Sequence, residues 1–359
     1  MRIAYLHHYF TTPAEPGGTR SYEFAVRLSS RGHTVEVITT DYRADPRAIG
    51  QWAISDEGGV RVHRLNLPYS NSMGYGERIV VFLRFALQAT RQLFRVKPDI
   101  IFATSTPLSI AIPALIYRLV RRVPMVFEVR DIWPEIPIAL GAIKNPILKS
   151  AARLLEILAY FNSYAVVALS PGMKDSVART GYPSERITVI PNACDFTDPK
   201  SNRIAGQAWL SENPWARGRT LVVYLGAMGI THDVKYIVEL ASKVKSLDPK
   251  VCFVIFGEGA EHDAIVSRAS QLQILGESVY VLPQIPKADI GGVLSVATAG
   301  ISTVMPIPEL EANSANKFFD YLAAGKPVVI NYGGWQQALL EDTGAGIRLD
   351  YADEKIYAG

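Results

Sequence analysis

Lys317 and Asp320 stand three residues apart at the head of a helical stretch, Asn316-Lys317-Phe318-Phe319-Asp320-Tyr321-Leu322-Ala323-Ala324-Gly325-Lys326-Pro327. That spacing puts both side chains on one face of the first turns. A lysine there adds a cation to a helix terminus that already favours anions, and an aspartate one turn later can accept from ribose hydroxyls. Asn316 opens the same turn, and Ala-Ala-Gly-Lys-Pro ends the helix and feeds a buried strand. The competing reading is a surface ion pair of little energetic weight.

Two more clusters have suitable types and positions. Pro16-Gly17-Gly18-Thr19-Arg20 follows a first strand and precedes a helix. Paired glycines let the backbone approach a phosphate closely, although an ordinary strand-to-helix turn uses them too. Glu128-Val129-Arg130-Asp131-Ile132-Trp133-Pro134 ends another strand. Charges just beyond a buried strand sit at the sheet edge where substrates bind, which singles out Asp131, with Arg130 beside it, over a salt-bridged loop.

Other chemistries lack their residues. The chain has no Asp-x-Asp, its six histidines have no zinc spacing, and Gly325-Lys326 ends a helix rather than opening one. Gly257-Glu258-Gly259 follows a strand, but His262 stands where a dinucleotide fingerprint needs a small residue. No metal site is expected. Aromatic and basic residues are not interleaved, so nucleic acid is not an expected partner.

The elements that must position these clusters alternate. Strand-like runs fall at 3–6, 34–39, 60–63, 100–103, 125–129, 165–169 and 187–190, with helical patterns near 21–31, 77–96, 108–121, 147–162 and 172–179. Buried strands alternating with amphipathic helices give a doubly wound parallel sheet. Residues 191–218 are rich in Pro, Asn, Asp and Gly and read as an interdomain connection. Alternation resumes with strands at 220–225, 251–256, 279–282, 300–302, 327–331 and 346–349. The expectation is an α/β chain of two Rossmann-like domains, 1–190 and 219–359, facing a central cleft.

The 359 residues, 48% hydrophobic and 20% charged, suffice for two ordered cores. Two cysteines, Cys194 and Cys252, have no metal or redox spacing and favour a reducing compartment. Residues 1–10 lack a signal-peptide pattern, and the longest apolar run, 108–119, is too short to span a bilayer, so a cytoplasmic location is expected. Residues 1–190 carry 23 Lys+Arg against 15 Asp+Glu, and residues 191–359 carry 14 against 19. The basic half favours an anionic membrane surface or lipid diphosphates. Within it, 77–97 holds Arg78, Arg84, Arg91, Arg95 and Lys97 against Glu77 alone. Arg84, Arg91 and Arg95 share one face, which reads either as a membrane-docking face or as the solvated side of a core helix.

Taken together the motifs resemble the family 4 retaining glycosyltransferases of the GT-B fold. Within them the chain is similar to the branch that builds bacterial surface polysaccharides, including L-fucosamine (N-acetyl) transferase-like enzymes. The pieces that carry this are GGTRSYEFAVRLSSRGHTVEVIT, FEVRDIWPE, VIPNACDF and NKFFDYLAAGKPVV. The resemblance implies that Gly17 and Gly18 lie against the donor diphosphate, with Thr19 and Arg20 also donor-binding. It implies that Lys317 binds phosphate, that Asp320 binds ribose with Asn316 adjoining, and that Leu282, Pro283 and Ile285 border the base. Asn192 would mark the crossover between domains. Asp131 and Arg130 would be catalytic, contacting the transferred sugar or the acceptor.

Three positions depart from many relatives. Ala312 replaces the first of two spaced glutamates, with Glu309 and Glu311 nearby. Gly226-Ala227-Met228-Gly229-Ile230-Thr231-His232 lacks a basic pair, leaving phosphate mostly to Lys317, and Arg130 replaces a histidine. The chain also stops at Gly359, ahead of the helix that usually crosses back. The activity implied is retaining transfer of a hexosyl or N-acetylaminodeoxyhexosyl group from a nucleotide diphosphate, with UDP preferred. The implied acceptor is a lipid-linked saccharide of O-antigen or capsule synthesis at the inner face of the cell membrane. No cofactor and no obligatory metal is expected. An epimerase of nucleotide sugars on the same fold, or a non-catalytic nucleotide-sugar-binding scaffold, are the other readings.

Overall fold

The computed structural model describes residues 1–41, 46–69, 73–194 and 198–349. Asp195 and Phe196 of one motif, and the chain after 349, lie outside the described residues. The chain divides into two units: Met1–Thr12 with Thr19–Pro191, and Pro13–Gly18 with Asn192–Gly359.

The first unit holds β1 (Arg2–Leu6), β2 (Thr34–Asp41), β3 (Trp52–Asp56), β4 (Arg61–Asn66), β5 (Ile100–Thr104), β6 (Met125–Val129), β7 (Ala165–Ala168) and β8 (Ile187–Val189). Their order is β3-β4-β2-β1-β5-β6-β7-β8. All pairs are parallel except β3 with β4. Strand β3 escaped the sequence reading because it is an edge strand with four of its five residues exposed, so it carries no apolar pattern. Ile3, Tyr5, Val35, Val37 and Val62 line one buried face, closed by Ala25 and Phe10. Helix starts are well specified. Asn145 accepts from the Ile147 and Leu148 amides ahead of Pro146–Phe161, and Ser170 accepts from Met173 ahead of Pro171–Arg179, each with proline in the first turn.

The second unit holds β9 (Thr220–Leu225), β10 (Val251–Phe256), β11 (Val279–Leu282), β12 (Ala299–Ser302), β13 (Val328–Ile330) and β14 (Gly346–Arg348). These run in the order β11-β10-β9-β12-β13-β14, all parallel. This is the doubly wound order in which the first strand is central and chain direction across the sheet reverses beside it.

The stretch read as a connection, 191–218, instead contains a 14-residue helix, Pro199–Glu212. The Asp and Pro that suggested a loop are its cap: Asp198 accepts from the Lys200 and Ser201 amides, and Pro199 occupies the first turn. The helix lies tight on Ile290–Val296. A Cβ on Gly206 would come within 2.7 Å of the Gly292 carbonyl oxygen, and one on Gly292 within 2.8 Å of Ala205 Cβ. Small residues there set the helix spacing, which explains the weak apolar periodicity of the segment.

One buried ion pair ties the first unit together. The Arg20 guanidinium donates through Nε and Nη2 to Glu128 Oε1, at 3.0 and 2.9 Å. It also donates to the Ile190 and Pro191 carbonyls at 2.9 and 2.6 Å. Both side chains are buried. Removing one partner of such a pair strands the other charge, so Arg20→Ala is expected to lose ~3–5 kcal/mol of stability in urea unfolding. A change below about 1 kcal/mol would show that the pair contributes only what a surface pair does.

Candidate functional site

In each sheet, the residues just beyond the strands that flank the reversal of strand order meet at one crevice, because neighbouring connections leave to opposite faces there. In the second unit those strands are β9 and β12. Helix Asn316–Ala323 is seated against them by Tyr321, whose hydroxyl accepts from the Leu225 amide and donates to the Ile301 carbonyl, both at 3.1 Å. Gly300 makes room: a Cβ there would fall 2.1 Å from the Tyr321 ring.

This seating carries Lys317 and Asp320 into place. Lys317 is buried, with Nζ 3.9 Å from the centroid of the Tyr224 ring, an arrangement of cation–π type. Gly226, at φ +150° beyond β9, brings its backbone beside the lysine, and a Cβ would meet Nζ at 2.9 Å. Burial pushes the Lys317 ammonium down to about 7, while Asp320 pulls the other way. Burial and the Lys317 charge hold His232 down at about 3, so His232 stays neutral. Asp320 is buried in an ion pair with Lys287 rather than paired with Lys317.

The Pro13–Gly18 segment, although it follows β1, belongs to this unit. The Lys287 amide donates to the Glu15 carbonyl at 3.1 Å, and Ala288 to Pro13 at 3.0 Å. Gly17 adopts φ +122°, and a Cβ on Gly18 would overlap the Asn316 side-chain amide at 2.3 Å. Gly17, Gly18, Asn316, Lys287 and Asp320 thus gather in one unit. Leu282 ends β11 and Pro283 and Ile285 follow it in the same unit, with Leu282 and Ile285 half-buried and Pro283 exposed. Asn192 is buried and bonds Ser314 through its amide nitrogens.

The glycines of Gly257-Glu258-Gly259 have a packing role. A Cβ on Gly257 would sit 1.9 Å from the Gly226 carbonyl oxygen, and one on Gly259 2.5 Å from that of Met228. The Met228 amide donates to the Glu258 carbonyl at 2.8 Å, so the turns after β9 and β10 are nested.

In the first unit the order reverses between β1 and β5. His7 follows β1, Ser105 and Thr106 follow β5, and Arg130 and Asp131 follow β6. Thr106 Oγ1 donates to Asp131 Oδ2 at 2.5 Å, and Arg130 Nη1 lies 3.1 Å from His7 Nε2. The Arg130 amide donates to Ser105 Oγ at 3.1 Å. Burial raises the Asp131 carboxyl above its ordinary range, against the Thr106 hydrogen bond and the Arg130 charge. Burial, then Arg130 and His8, push His7 well below the ordinary histidine range.

Two of the expected donor-binding residues have structural roles within the first unit. Arg20, expected at the donor, is engaged by Glu128 and two carbonyls in a structural clamp. Thr19 is buried at the start of helix Arg20–Ser30, makes no side-chain cap, and belongs with Arg20 to the first unit. Sequence reasoning missed Lys287, His7 and Thr106. Lys287 sits in a short irregular turn with no periodic signal. His7 and Thr106 become candidates only once β1 and β5 are known to be neighbours. Among the described residues, no cluster of three or more His, Cys, Asp or Glu is arranged to hold a metal ion.

The parallel sheets, with polar residues beyond their central strands, define a doubly wound α/β architecture, and comparison with known proteins makes the fold specific. Residues 17–193 match the model of the glycosyl transferase 4-like domain. No curated protein matches the chain. Among solved structures it is similar to Anabaena HepE in complex with UDP-glucose, at 17% identity and TM-score 0.67, covering 99% of this chain and 87% of that one. It is also similar to sucrose-phosphate synthase from Thermosynechococcus elongatus, at 16% and 0.73, covering 99% and 88%. WaaG, a glycosyltransferase involved in lipopolysaccharide biosynthesis, matches at 13% and 0.69, covering 99% and 88%. The fold is GT-B, with two Rossmann-like parallel-sheet domains, as the sequence led one to expect.

The buried lysine has a measurable signature. Its folded pKa, about 7, lies below the ordinary lysine value, so between pH 7 and roughly 10 the unfolded chain binds more protons than the folded one. Stability therefore rises with pH across that window, by up to ~1.4 kcal/mol per unit from this group. Lys317→Met is expected to remove that rise and to stabilise the protein near pH 7, as measured by urea unfolding at pH 7, 8 and 9. Equal pH slopes in the two proteins would place the ammonium in water.

Proposed function

We propose that the protein is a retaining glycosyltransferase that takes a sugar from a nucleotide diphosphate, UDP being preferred, and passes it to a lipid-linked saccharide in surface polysaccharide synthesis. The observation that carries this is Lys317, a desolvated cation held beside Gly226 on a helix that also presents the Lys287–Asp320 pair. A buried ammonium near neutrality is costly without a counter-charge, and a diphosphate supplies one. Glycine backbone at Gly17 and Gly18 suits close approach of phosphate, and Asp320 suits ribose hydroxyls. HepE has been crystallised with UDP and with UDP-glucose, which favours UDP here.

Asp131, half-buried and bonded to Thr106, is the residue for the transferred sugar or acceptor, with Arg130 alongside. Retention follows from front-face attack, in which the leaving phosphate takes the acceptor proton. That route needs no carboxylate nucleophile, unlike a double displacement. No metal or cofactor has a step in it.

The acceptor reading draws on the surface of the first unit. Helices Tyr75–Val96, Ala111–Arg121 and Pro146–Phe161 pack side by side. They leave apolar side chains in the open, with Ile147 at 75% and Leu119 at 67% exposure, and Leu154, Phe161, Leu83 and Leu87 also exposed. Arg84, Leu87, Arg91 and Arg95 form one exposed stripe at helical spacing, so the first of these helices is neither purely core nor purely solvated. Exposed apolar residues flanked by arginines suit an anionic lipid surface. No helix among the described residues is long and apolar enough to cross a membrane.

Calorimetry should show UDP binding that Lys317→Ala weakens by roughly 10- to 150-fold, the ~1.5–3 kcal/mol of a charge-assisted bond. NMR of the first-formed product should show the donor's anomeric configuration kept. Unchanged UDP affinity would remove Lys317 from the site, and interconversion of UDP-sugars without acceptor would turn the reading to an epimerase. Vesicles containing phosphatidylglycerol should co-sediment the protein in low salt. Leu154→Glu with Phe161→Glu, or Arg84, Arg91 and Arg95 all changed to Glu, should reduce that binding several-fold. Equal binding to neutral phosphatidylcholine vesicles, or none to either, would refute the anionic-membrane reading.

A further inference from the structure

We propose that His7 is a ligand-binding residue whose Nδ1–H is a fixed hydrogen-bond donor to a hydroxyl of a saccharide substrate. The proposal rests on the glycosyl-transfer reading above for the identity of its ligand, and on geometry for the donor.

The argument starts from valence. Arginine has donors and no acceptor, so a hydrogen bond between Arg130 Nη1 and His7 Nε2, 3.1 Å apart, requires Nε2 to accept. A neutral imidazole whose Nε2 accepts carries its proton on Nδ1. The adjacent guanidinium and burial both oppose a second proton, so the ring remains neutral. Arg130 therefore selects one tautomer.

That Nδ1–H is then the unusual group. His7 is 4% exposed, and its Nδ1 has no hydrogen-bond partner among the described residues. Buried N–H groups without partners are rare in folded proteins. This one follows the central strand β1 where the sheet order reverses, the place where doubly wound sheets receive ligands. The neighbouring His8 is different: it is enclosed edge-on by Tyr9, Tyr69, Phe82 and Phe85 and belongs to the packing.

The chemistry of the surroundings identifies the ligand class. His7 offers one neutral donor, Asp131 a carboxylate that also accepts the Thr106 hydroxyl hydrogen bond, and Arg130 a charge already engaged with the imidazole. A phosphate would face the Asp131 carboxylate, whose charge opposes it. A polyol matches better, since each hydroxyl both donates and accepts. The hydroxyl can come from the transferred sugar or from the acceptor sugar.

Asparagine and glutamine separate the two ring nitrogens. An asparagine amide can put N–H where Nδ1 stands, whereas a glutamine amide reaches the position of Nε2. Long-range ¹H–¹⁵N correlation on the ¹⁵N-histidine-labelled full chain should show His7 protonated at Nδ1, with His7→Gln giving the assignment. A proton on Nε2 overturns the proposal whatever the substrate.

In the donor arm, calorimetry compares UDP-glucose with UDP. In the acceptor arm, turnover with UDP-glucose gives the KM of a short-chain lipid-diphosphate disaccharide. His7→Gln should weaken one of these by about 10-fold without changing UDP affinity, and His7→Asn should stay within about 2-fold of wild type. The arm that responds identifies which sugar is held. Equal losses in both variants, with melting temperatures intact, or no loss in either, would leave His7 a packing residue. Wild-type protein that binds neither UDP nor UDP-glucose would sink the glycosyl-transfer reading, while the tautomer measurement still decides what His7 presents.

Discussion

A parallel sheet covered on both faces by helices gathers its strand-to-helix turns along one edge, and that constraint governs this protein twice over. Each peptide at the end of a strand must hand its hydrogen bonds to a turn, a helix or a ligand. Where strand order reverses, the turns diverge and leave polar groups facing a crevice. In the second sheet the constraint collects Gly226 and the helix bearing Lys317 and Asp320. In the first it collects His7, Thr106 and Asp131 from strands far apart in sequence but adjacent in the sheet.

The two units treat buried charge in opposite ways. Arg20 and Glu128 satisfy each other and the carbonyls at the end of the first unit, so the pair is complete without any ligand. Lys317 has an aromatic face and the distant help of Asp320, whose own carboxylate is already matched by Lys287. The first arrangement holds a fold together. The second leaves a buried cation that the protein's own groups offset only in part.

Much of this was legible in the sequence, for identifiable reasons. Parallel strands buried on both faces are continuous apolar runs, so Thr220–Leu225 and Met125–Val129 could be bounded to the residue. Lys317 and Asp320 were visible because helical spacing alone puts them on one face. What the sequence hid was whatever depends on strand order or on close packing. The Arg20 clamp was hidden because its partner Glu128 lies 108 residues away. Pro199–Glu212 looked like a loop because it packs through glycine rather than through a leucine stripe. Edge strand β3 is exposed, and exposure erases the alternation by which strands are read.

The nested turns after β9 and β10 limit how this architecture can diversify. Gly257 and Gly259 press so closely on the Gly226 and Met228 backbone that neither can acquire a side chain without displacing it, and a side chain on Gly226 would meet Lys317. Ala227 and Glu258 on these turns, and Pro283 and Gln284 after β11, are by contrast exposed. Substitutions at those four positions can therefore change the side chains these loops present while the packed glycine frame beneath them stays as it is.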